Sequence, residues 1–419
     1  MLLRTVRPGD VQALLRDPVD PQTLATAATI VDAIRAHGET ALRAHAERFG
    51  EVQPGGPLLL DRAALEAGWN ALPAPDRALL SRTAARIRRF AELQRASVGN
   101  AEMAIPGGRA GQDVDPVDRA GCYAPGGRYP LPSSVLMTGI TARAAGVRHV
   151  LVASPRPAPI TIGAAYAAGA DALLVCGGAH AIAAMAFGIP GLLERCDVVV
   201  GPGNRWVTAA KKLVSGLVAI DMLAGPSELI ILADESADPA VVAADLLAQA
   251  EHDPDALPVL VTTHEPLIAA TNSELARQLE TLPTHETARA ALGNGYAVLA
   301  PDLATARDVV DRLAPEHLEL LLADPAASAA HLRHYGGLFI GTGTAEVLGD
   351  YGAGPNHTLP TGGTARFTGG LSVFHFLRIR TWMQIDDTPA AQELVHDAIA
   401  LARHEGLEAH ARSAEKRLL

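Results

Sequence analysis

Cysteine, aromatic side chains and uninterrupted apolar runs are all scarce in this chain of 419 residues. The three cysteines, Cys122, Cys176 and Cys196, make an odd count without metal-motif spacing. That excludes a disulfide framework and a cysteine-rich zinc module, and it reads as buried free thiols in a reducing cytoplasm. Cys122, beside a Gly/Pro turn, has a reactive alternative, but no base stands near it in the sequence. Aromatics are only 4% of the chain, so the core is built mainly from Ala, Val, Leu and Ile. The most apolar region, residues 164–193, is broken by Asp171, His180 and several Gly, which excludes a membrane span there. The first ten residues contain no apolar stretch of the secretory kind, so a cytoplasmic location is expected. Positive charge is also short. A net charge of −11 argues against a nucleic-acid partner, which needs a concentrated basic surface. The basic stretch from Arg82 to Arg95, with Arg86, Arg88 and Arg89, reads as a solvated helix face.

What is present is an ordinary globular composition, 48% hydrophobic and 19% charged, in a length that suits two or three structural units. Residues 21–45 and 61–96 carry apolar side chains at three- and four-residue spacing, the pattern of helices. The pattern then changes. Residues 149–152 lead to Ser154-Pro155, residues 172–175 to Gly177-Gly178, and residues 197–200 to Gly201-Pro202-Gly203. Residues 229–232, 259–262, 297–300, 318–321 and 338–340 repeat the scheme. Short apolar runs separated by Ala-rich helical stretches describe βα units and parallel sheets covered on both faces. An α/β fold with two parallel-sheet, incomplete Rossmann-like domains is expected, with an N-terminal helical segment and a C-terminal helical tail. The expected division is an extension over 1–20, one domain from 21–121 plus 234–370, a second from 122–233, and a tail over 371–419.

Chemistry-bearing residues come from several places. Glu316-His317 precede an apolar run, and Pro315 disfavours helix at Ala314 and stiffens the approach. A histidine titrates near neutral pH, and partial burial brings a glutamate there too, so the pair reads as proton-transfer groups. The competing reading is an ordinary polar connection. Gln249 and His252 fall on one face near the end of a helix that starts at Asp238-Pro239 and stops at Asp253-Pro254. Alone they read as surface residues. With Asp350 from a Gly-rich loop and His410 from the tail they make an N/O ligand set for a borderline divalent ion, zinc foremost. The turns Gly177-Gly178-Ala179-His180 and Gly201-Pro202-Gly203-Asn204 each open a helix, where free N–H groups hold an anion such as a pyrophosphate. Trp206 occupies the third-glycine place of the second, so neither turn is a full dinucleotide fingerprint. Ligand-free tight turns remain the alternative. A third turn, Tyr123-Ala124-Pro125-Gly126-Gly127-Arg128, adds an aromatic ring and a cation.

Taken in order, Ala224-Gly225-Pro226-Ser227-Glu228, residues 245–252, residues 314–318 and Asn356-His357-Thr358-Leu359-Pro360-Thr361 resemble the histidinol dehydrogenase family, over about Val11 to Arg412. The resemblance implies a zinc-dependent oxidation of L-histidinol to L-histidine through histidinaldehyde, consuming two NAD. It carries the zinc ligands onto Gln249, His252, Asp350 and His410, and the acid/base pair onto Glu316 and His317. Substrate contacts map to these ligands, to His317, and to Ser227 and Glu405. Cofactor contacts map to Tyr123, His180 and Asn204. It also implies one zinc per subunit and a homodimer whose tail carries Glu405 and His410 into the partner's site. On this reading His317 removes the hydroxyl proton and Glu316 activates water at the aldehyde stage. One departure is His180, where relatives carry Gln. The segment before Asp197 is also one residue longer than in common relatives. A relative oxidising another small alcohol, such as a sulfonated diol, is the nearest alternative. Ser227, the proline before Glu316, and Tyr351 after Asp350 side with the histidinol branch. A zinc hydrolase using Glu316 as base is a second alternative, and it leaves the nucleotide-like turns unexplained.

Overall fold

The computed structural model describes residues 2–11, 19–126 and 129–419. Gly127 and Arg128 of the third turn therefore lie outside the described residues, as do residues 12–18 of the expected extension. The chain forms two six-stranded sheets and a small third one.

The first sheet runs β2 (Leu59–Asp61), β7 (Ala172–Leu174), β6 (His149–Ala153), β5 (Arg119–Tyr123), β8 (Val198–Val200) and β9 (Ala219–Ile220). Only the edge strand β2 is antiparallel. Helix α1 (Pro21–Arg48) starts where the Asp20 carboxylate accepts the Thr23 N–H at 2.9 Å, followed by proline at the first turn. Asp61 caps α2 (Arg62–Ala71) in the same way, and Leu72-Pro73 separates it from α3 (Ala74–Ala96). The expected single helical stretch over 61–96 is thus two helices. Helices α4 (Pro132–Ala145), α5 (Pro159–Ala168), α6 (Gly178–Phe187) and α7 (Arg205–Val214) alternate with the strands. Helix α1 packs with α6 and α7, while α2 and α3 pack with α4 and α5. One continuous core results, rich in alanine and valine, and it buries all three thiols. Burial pushes Cys122 and Cys196 up to about 12 and Cys176 higher still. Thiols held protonated in this way are inert, so the reactive reading of Cys122 is set aside.

The second sheet is parallel throughout: β1 (Arg4–Val6), β12 (Tyr296–Leu299), β11 (Leu257–Thr262), β10 (Glu228–Ala233), β13 (His317–Leu321) and β14 (Gly337–Ile340). Alternation along its strands decides what covers each face. Leu229, Ile231 and Ala233 pack beneath α8 (Pro239–Ala250), α9 (Glu265–Leu279) and α10 (His285–Leu292). Ile230 and Leu232 pack against α11 (Leu303–Leu313) and the region of α12 (Pro325–Ala329). The third sheet, β15 (Leu377–Ile385), β4 (Gly108–Pro116) and β3 (Ala101–Ile105), is antiparallel. After the short α13 (Glu346–Asp350), the chain ends in α14 (Gln392–His404) and α15 (Glu408–Glu415), packed on each other. Among the described residues no helix is long and apolar enough to cross a membrane.

The sheets redraw the expected division. Residues 21–96 and 119–121 belong with 122–220, because β2 and β5 hydrogen-bond inside the first sheet and α1 to α3 cover it, while β3 and β4 between them belong to the third sheet. Residues 228–233 belong to the second sheet, and Leu371, Val373 and Phe376 return to the first core. The extension contributes the edge strand β1, and the tail passes through a short 3-10 turn (Val373–Phe376) and the strand β15 before its helices.

Candidate active site

The acid/base pair stands where α11 ends. Ala314 takes a left-handed conformation, φ 46° and ψ 62°, and Pro315 then delivers Glu316 and His317 to the start of β13. Both side chains are buried. The backbone of Glu228, at the start of β10, holds both. Its N–H donates to Glu316 Oε2 at 2.8 Å, and its carbonyl accepts from His317 Nδ1 at 3.0 Å. That second bond places the imidazole proton on Nδ1 and leaves Nε2 as a bare acceptor, buried and without a hydrogen-bond partner among the described residues. Burial lowers His317 to about 4, so the ring is neutral at physiological pH. Burial first, and then the charges of Glu228, Asp350 and Glu346, raise Glu316 well above the carboxylate range.

Gln249 ends α8 fully buried, and neither its amide oxygen nor its nitrogen has a hydrogen-bond partner among the described residues. An orphaned amide in an apolar setting is costly unless something occupies the space in front of it. His252 lies just beyond, with Nε2 3.6 Å from Asp350 Oδ2. Donor atoms of His252, Glu346 and Asp350 all fall within 4.8 Å of one another. Asp350 is the last residue of α13 rather than part of a glycine-rich loop. An imidazole and two carboxylates gathered in this way, with an unsatisfied amide on the helix before them, suit a borderline divalent ion. Ser227, partly buried, immediately precedes Glu228. Glu405 follows α14 and His410 lies on α15, both exposed on the tail and outside this gathering.

Several buried groups were not picked out from the sequence. Glu346 Oε1 is 3.5 Å from His317 Nε2, and burial followed by the Asp350 charge raises it to about 9. His357 Nδ1 donates to the Asp350 carbonyl at 2.9 Å and so fixes the end of α13. Behind them lie Glu319 and Asp245, raised to about 8 and about 6 chiefly by burial. Spacing carries the signal for this rear layer. His317 and Glu319 are two apart on β13, and Asp245 and Gln249 four apart on α8. Glu346 and Asp350 are four apart on α13, so each element shows one residue to each layer.

The pocket lies at the amino edge of the second sheet, since Glu228 and His317 begin β10 and β13. The Gly-rich turns lie instead at the carboxyl edge of the first sheet, the usual ligand edge of such folds. Their N–H groups are not free in the way expected. At the first turn, Glu51 accepts the Gly177 N–H at 3.2 Å and Tyr123 OH accepts the Gly178 N–H at 3.1 Å. His180 turns inward, its Nε2 2.8 Å from Glu51 Oε2 and its ring stacked near His45 and Phe49. At the second turn, the Asn204 side chain caps α7 by accepting from Trp206 and Val207. At this turn glycine is required by close packing against α7, and the residues that follow it are open to a ligand. A Cβ on Gly203 would meet Val207 at 2.4 Å, and Asn204 and Arg205 are exposed beside it.

A buried site that keeps an imidazole neutral and raises its neighbouring acid, with an amide left unsatisfied, is arranged for proton transfer on a held substrate. That puts the chain among α/β enzymes. The family model described as histidinol dehydrogenase matches residues 16–418. The histidinol dehydrogenase of Thermus thermophilus is 45% identical over 400 residues, covering 95% of each chain. That of Chromobacterium violaceum is 43% identical over 406 residues, covering 95% of this chain and 93% of its own. The crystal structure of histidinol dehydrogenase from Elizabethkingia anophelis superposes with a TM-score of 0.90 at 30% identity, covering 99% of this chain and 98% of that one. The chain belongs to the histidinol dehydrogenase family. Its activity is the NAD-dependent oxidation of histidinol that closes histidine biosynthesis.

Proposed function

We propose that Gln249, His252 and Asp350, with His410 from the tail of a second copy, hold one zinc ion per subunit, and that Glu316 and His317 perform the proton transfers. The observation that carries this reading is the bare Nε2 of His317, 3.5 Å from Glu346 Oε1 and 4.0 Å from Asp350 Oδ1 beside the His252–Asp350 pair, together with the orphaned amide of Gln249. Bound there, zinc would supply a Lewis-acidic site that fixes histidinol, and so would act chiefly as a template. Tyr123, His180 and Asn204, at the carboxyl edge of the first sheet, would hold NAD, which would supply the hydride acceptor for both oxidations.

His317 Nε2 takes the hydroxyl proton as the alcohol carbon is oxidised, while the Glu228 carbonyl stabilises the imidazolium through Nδ1–H. Glu316, once ionised, accepts a proton from the water that adds to the aldehyde, and the Glu228 N–H holds its carboxylate in place. His317, having released its first proton to solvent, takes a second hydroxyl proton as the hydrate is oxidised to the acid. Ser227 and Glu405 contact substrate, the Glu405 carboxylate accepting a hydrogen bond from its amino group. The working form is a homodimer with shared sites, and its three buried thiols suit the cytoplasm. NADH formation with L-histidinol tests the reading, before and after chelation and zinc add-back. About two NADH per histidinol, lost on chelation and restored by zinc, is the expected outcome. NADH formation unaffected by complete zinc removal would overturn the template role.

A further inference from the structure

Behind the Gly201-Pro202-Gly203-Asn204 turn lies a buried ion pair that the reaction outlined above does not use. Lys211 on α7 and Asp221 just after β9 are 2% and 8% exposed and form a salt bridge. Asp221 Oδ2 accepts the Gly201 N–H at 2.7 Å, and Lys211 Nζ donates to the Gly201 carbonyl at 3.0 Å. Both backbone polar groups of one glycine are thus held by the two halves of one charge pair. Gly201 has φ +118°, and a Cβ there would meet the Tyr123 carbonyl oxygen at 2.0 Å. The turn is therefore pressed against β5 as well as clamped from behind.

The same aspartate also holds the next segment. Its Oδ1 accepts the Met222 N–H at 2.7 Å, at the start of the crossover 222–228 between the two sheets. Along that crossover, Thr208 Oγ1 of α7 donates to the Ala224 carbonyl at 2.6 Å, and the Gly225 N–H donates to Thr361 Oγ1 at 2.5 Å. The crossover ends at Glu228, whose backbone holds Glu316 and His317. A buried ion pair is a poor source of net stability because both charges lose their water. What this one provides is a fixed distance between the turn and the crossover.

We infer that Lys211 and Asp221 are positioning residues, which hold the Gly201 turn in register with the 222–228 crossover and so set where the dinucleotide stands relative to His317. This rests on the proposal that NAD occupies the carboxyl edge of the first sheet.

The test follows NADH binding to zinc-loaded protein by quenching of tryptophan emission. Trp206 adjoins the turn, so Trp206→Phe reports whether the cofactor sits there. Quenching that Trp206→Phe diminishes is expected, together with an NADH Kd about tenfold higher in Asp221→Asn and in Lys211→Met, while zinc content and histidinol affinity stay within about twofold. Lys211→Arg should recover part of the loss. The double variant Lys211→Met/Asp221→Asn leaves no lone buried charge and should show the same selective loss if a single variant does not fold. A wild-type NADH Kd in folded variants, with Trp206 quenching intact, would overturn the positioning role and leave the cofactor edge standing. Quenching independent of Trp206 would remove the cofactor from this edge, and the inference with it. Equal losses of NADH and histidinol affinity would mean a merely structural pair and also overturn it.

Discussion

His317 has one nitrogen committed and the other free, and that asymmetry is what a general base requires. His317→Asn removes the acceptor while keeping a side-chain amide near the Glu228 carbonyl. It should lower kcat for both oxidations by about 10²–10⁴-fold with little change in zinc content. Glu316→Gln should instead spare histidinol oxidation and slow the aldehyde stage, which single-turnover NADH traces with histidinol and with histidinaldehyde separate. Equal losses in both stages would refute that division. The rear carboxyls give a second, purely thermodynamic prediction. Glu319 is raised from 4.5 to about 8 in the fold, so the stability it contributes is complete below 4.5 and is lost as pH rises through about 8. His317, lowered from 6.5 to about 4, acts on the acid side, contributing stability above 6.5 that is lost as pH falls toward 4. Glu319→Gln mimics the protonated carboxyl, so in chelator-treated protein it should stabilise by about 1–3 kcal/mol at pH 8 and far less at pH 5. Denaturant melts at the two pH values check this, and a pH-independent effect would show that Glu319 is ionised in the fold.

The catalytic pair depends on how one helix stops. Ala314 ends α11 in the left-handed region, where a Cβ costs about 1–2 kcal/mol. Ala314→Gly should relieve that strain and, after the added chain entropy, stabilise by about 0.5–1 kcal/mol with activity retained. Ala314→Val puts a β-branched side chain at a fully buried left-handed position and should cost at least about 2 kcal/mol and reduce kcat. Thermal unfolding alongside NADH assays reads both. Pro315 made this stop visible in the sequence, just as the Val- and Leu-rich runs of β6, β8, β10, β11 and β13 announced themselves, because strands buried on both faces are continuously apolar. Other elements gave no such signal. Central β5 reads Arg-Ala-Gly-Cys-Tyr, and β4 reads Gly-Arg-Ala-Gly-Gln-Asp-Val-Asp-Pro, neither with a clean period. Their pairing is set by strands far away, β8 and β6 for β5 and the tail strand β15 for β4. That is why the expected domain cut fell inside β5. The front layer of the site was legible through Glu316, His317, Gln249, His252 and Asp350. Glu346 and His357 were not, because only the convergence of α13 with β13 gives them a role.

Seen whole, one copy of the chain carries two of its expected site residues on the wrong surface. Glu405 and His410 project from an exposed tail, and the sheet and helices that carry it expose Met103, Ile379, Met383 and Leu401 by about 60% or more each. Large apolar side chains gathered on a projecting sheet and its following helices are the kind of surface that the proposed second copy would cover. Two copies exchanging tails would cover it and bring His410 to the donors of the opposite pocket. The exchange makes a sharp prediction, because it separates His317 and His410 of one chain into different sites. His317→Asn and His410→Ala homodimers should each be nearly inactive. In a dimer of one chain of each kind, one pocket combines both defects and the other combines none. With random pairing, half the dimers are mixed and each has one intact pocket, so the mixture should recover about one quarter of wild-type activity. If each chain completes its own site, every pocket in the mixture keeps one defect and no activity returns. Co-expression with two affinity tags, followed by purification of the doubly tagged dimer, should double the recovered fraction to about one half. A doubly tagged dimer that stays inactive while zinc-loaded would refute the shared site and return His410 to the surface of its own chain.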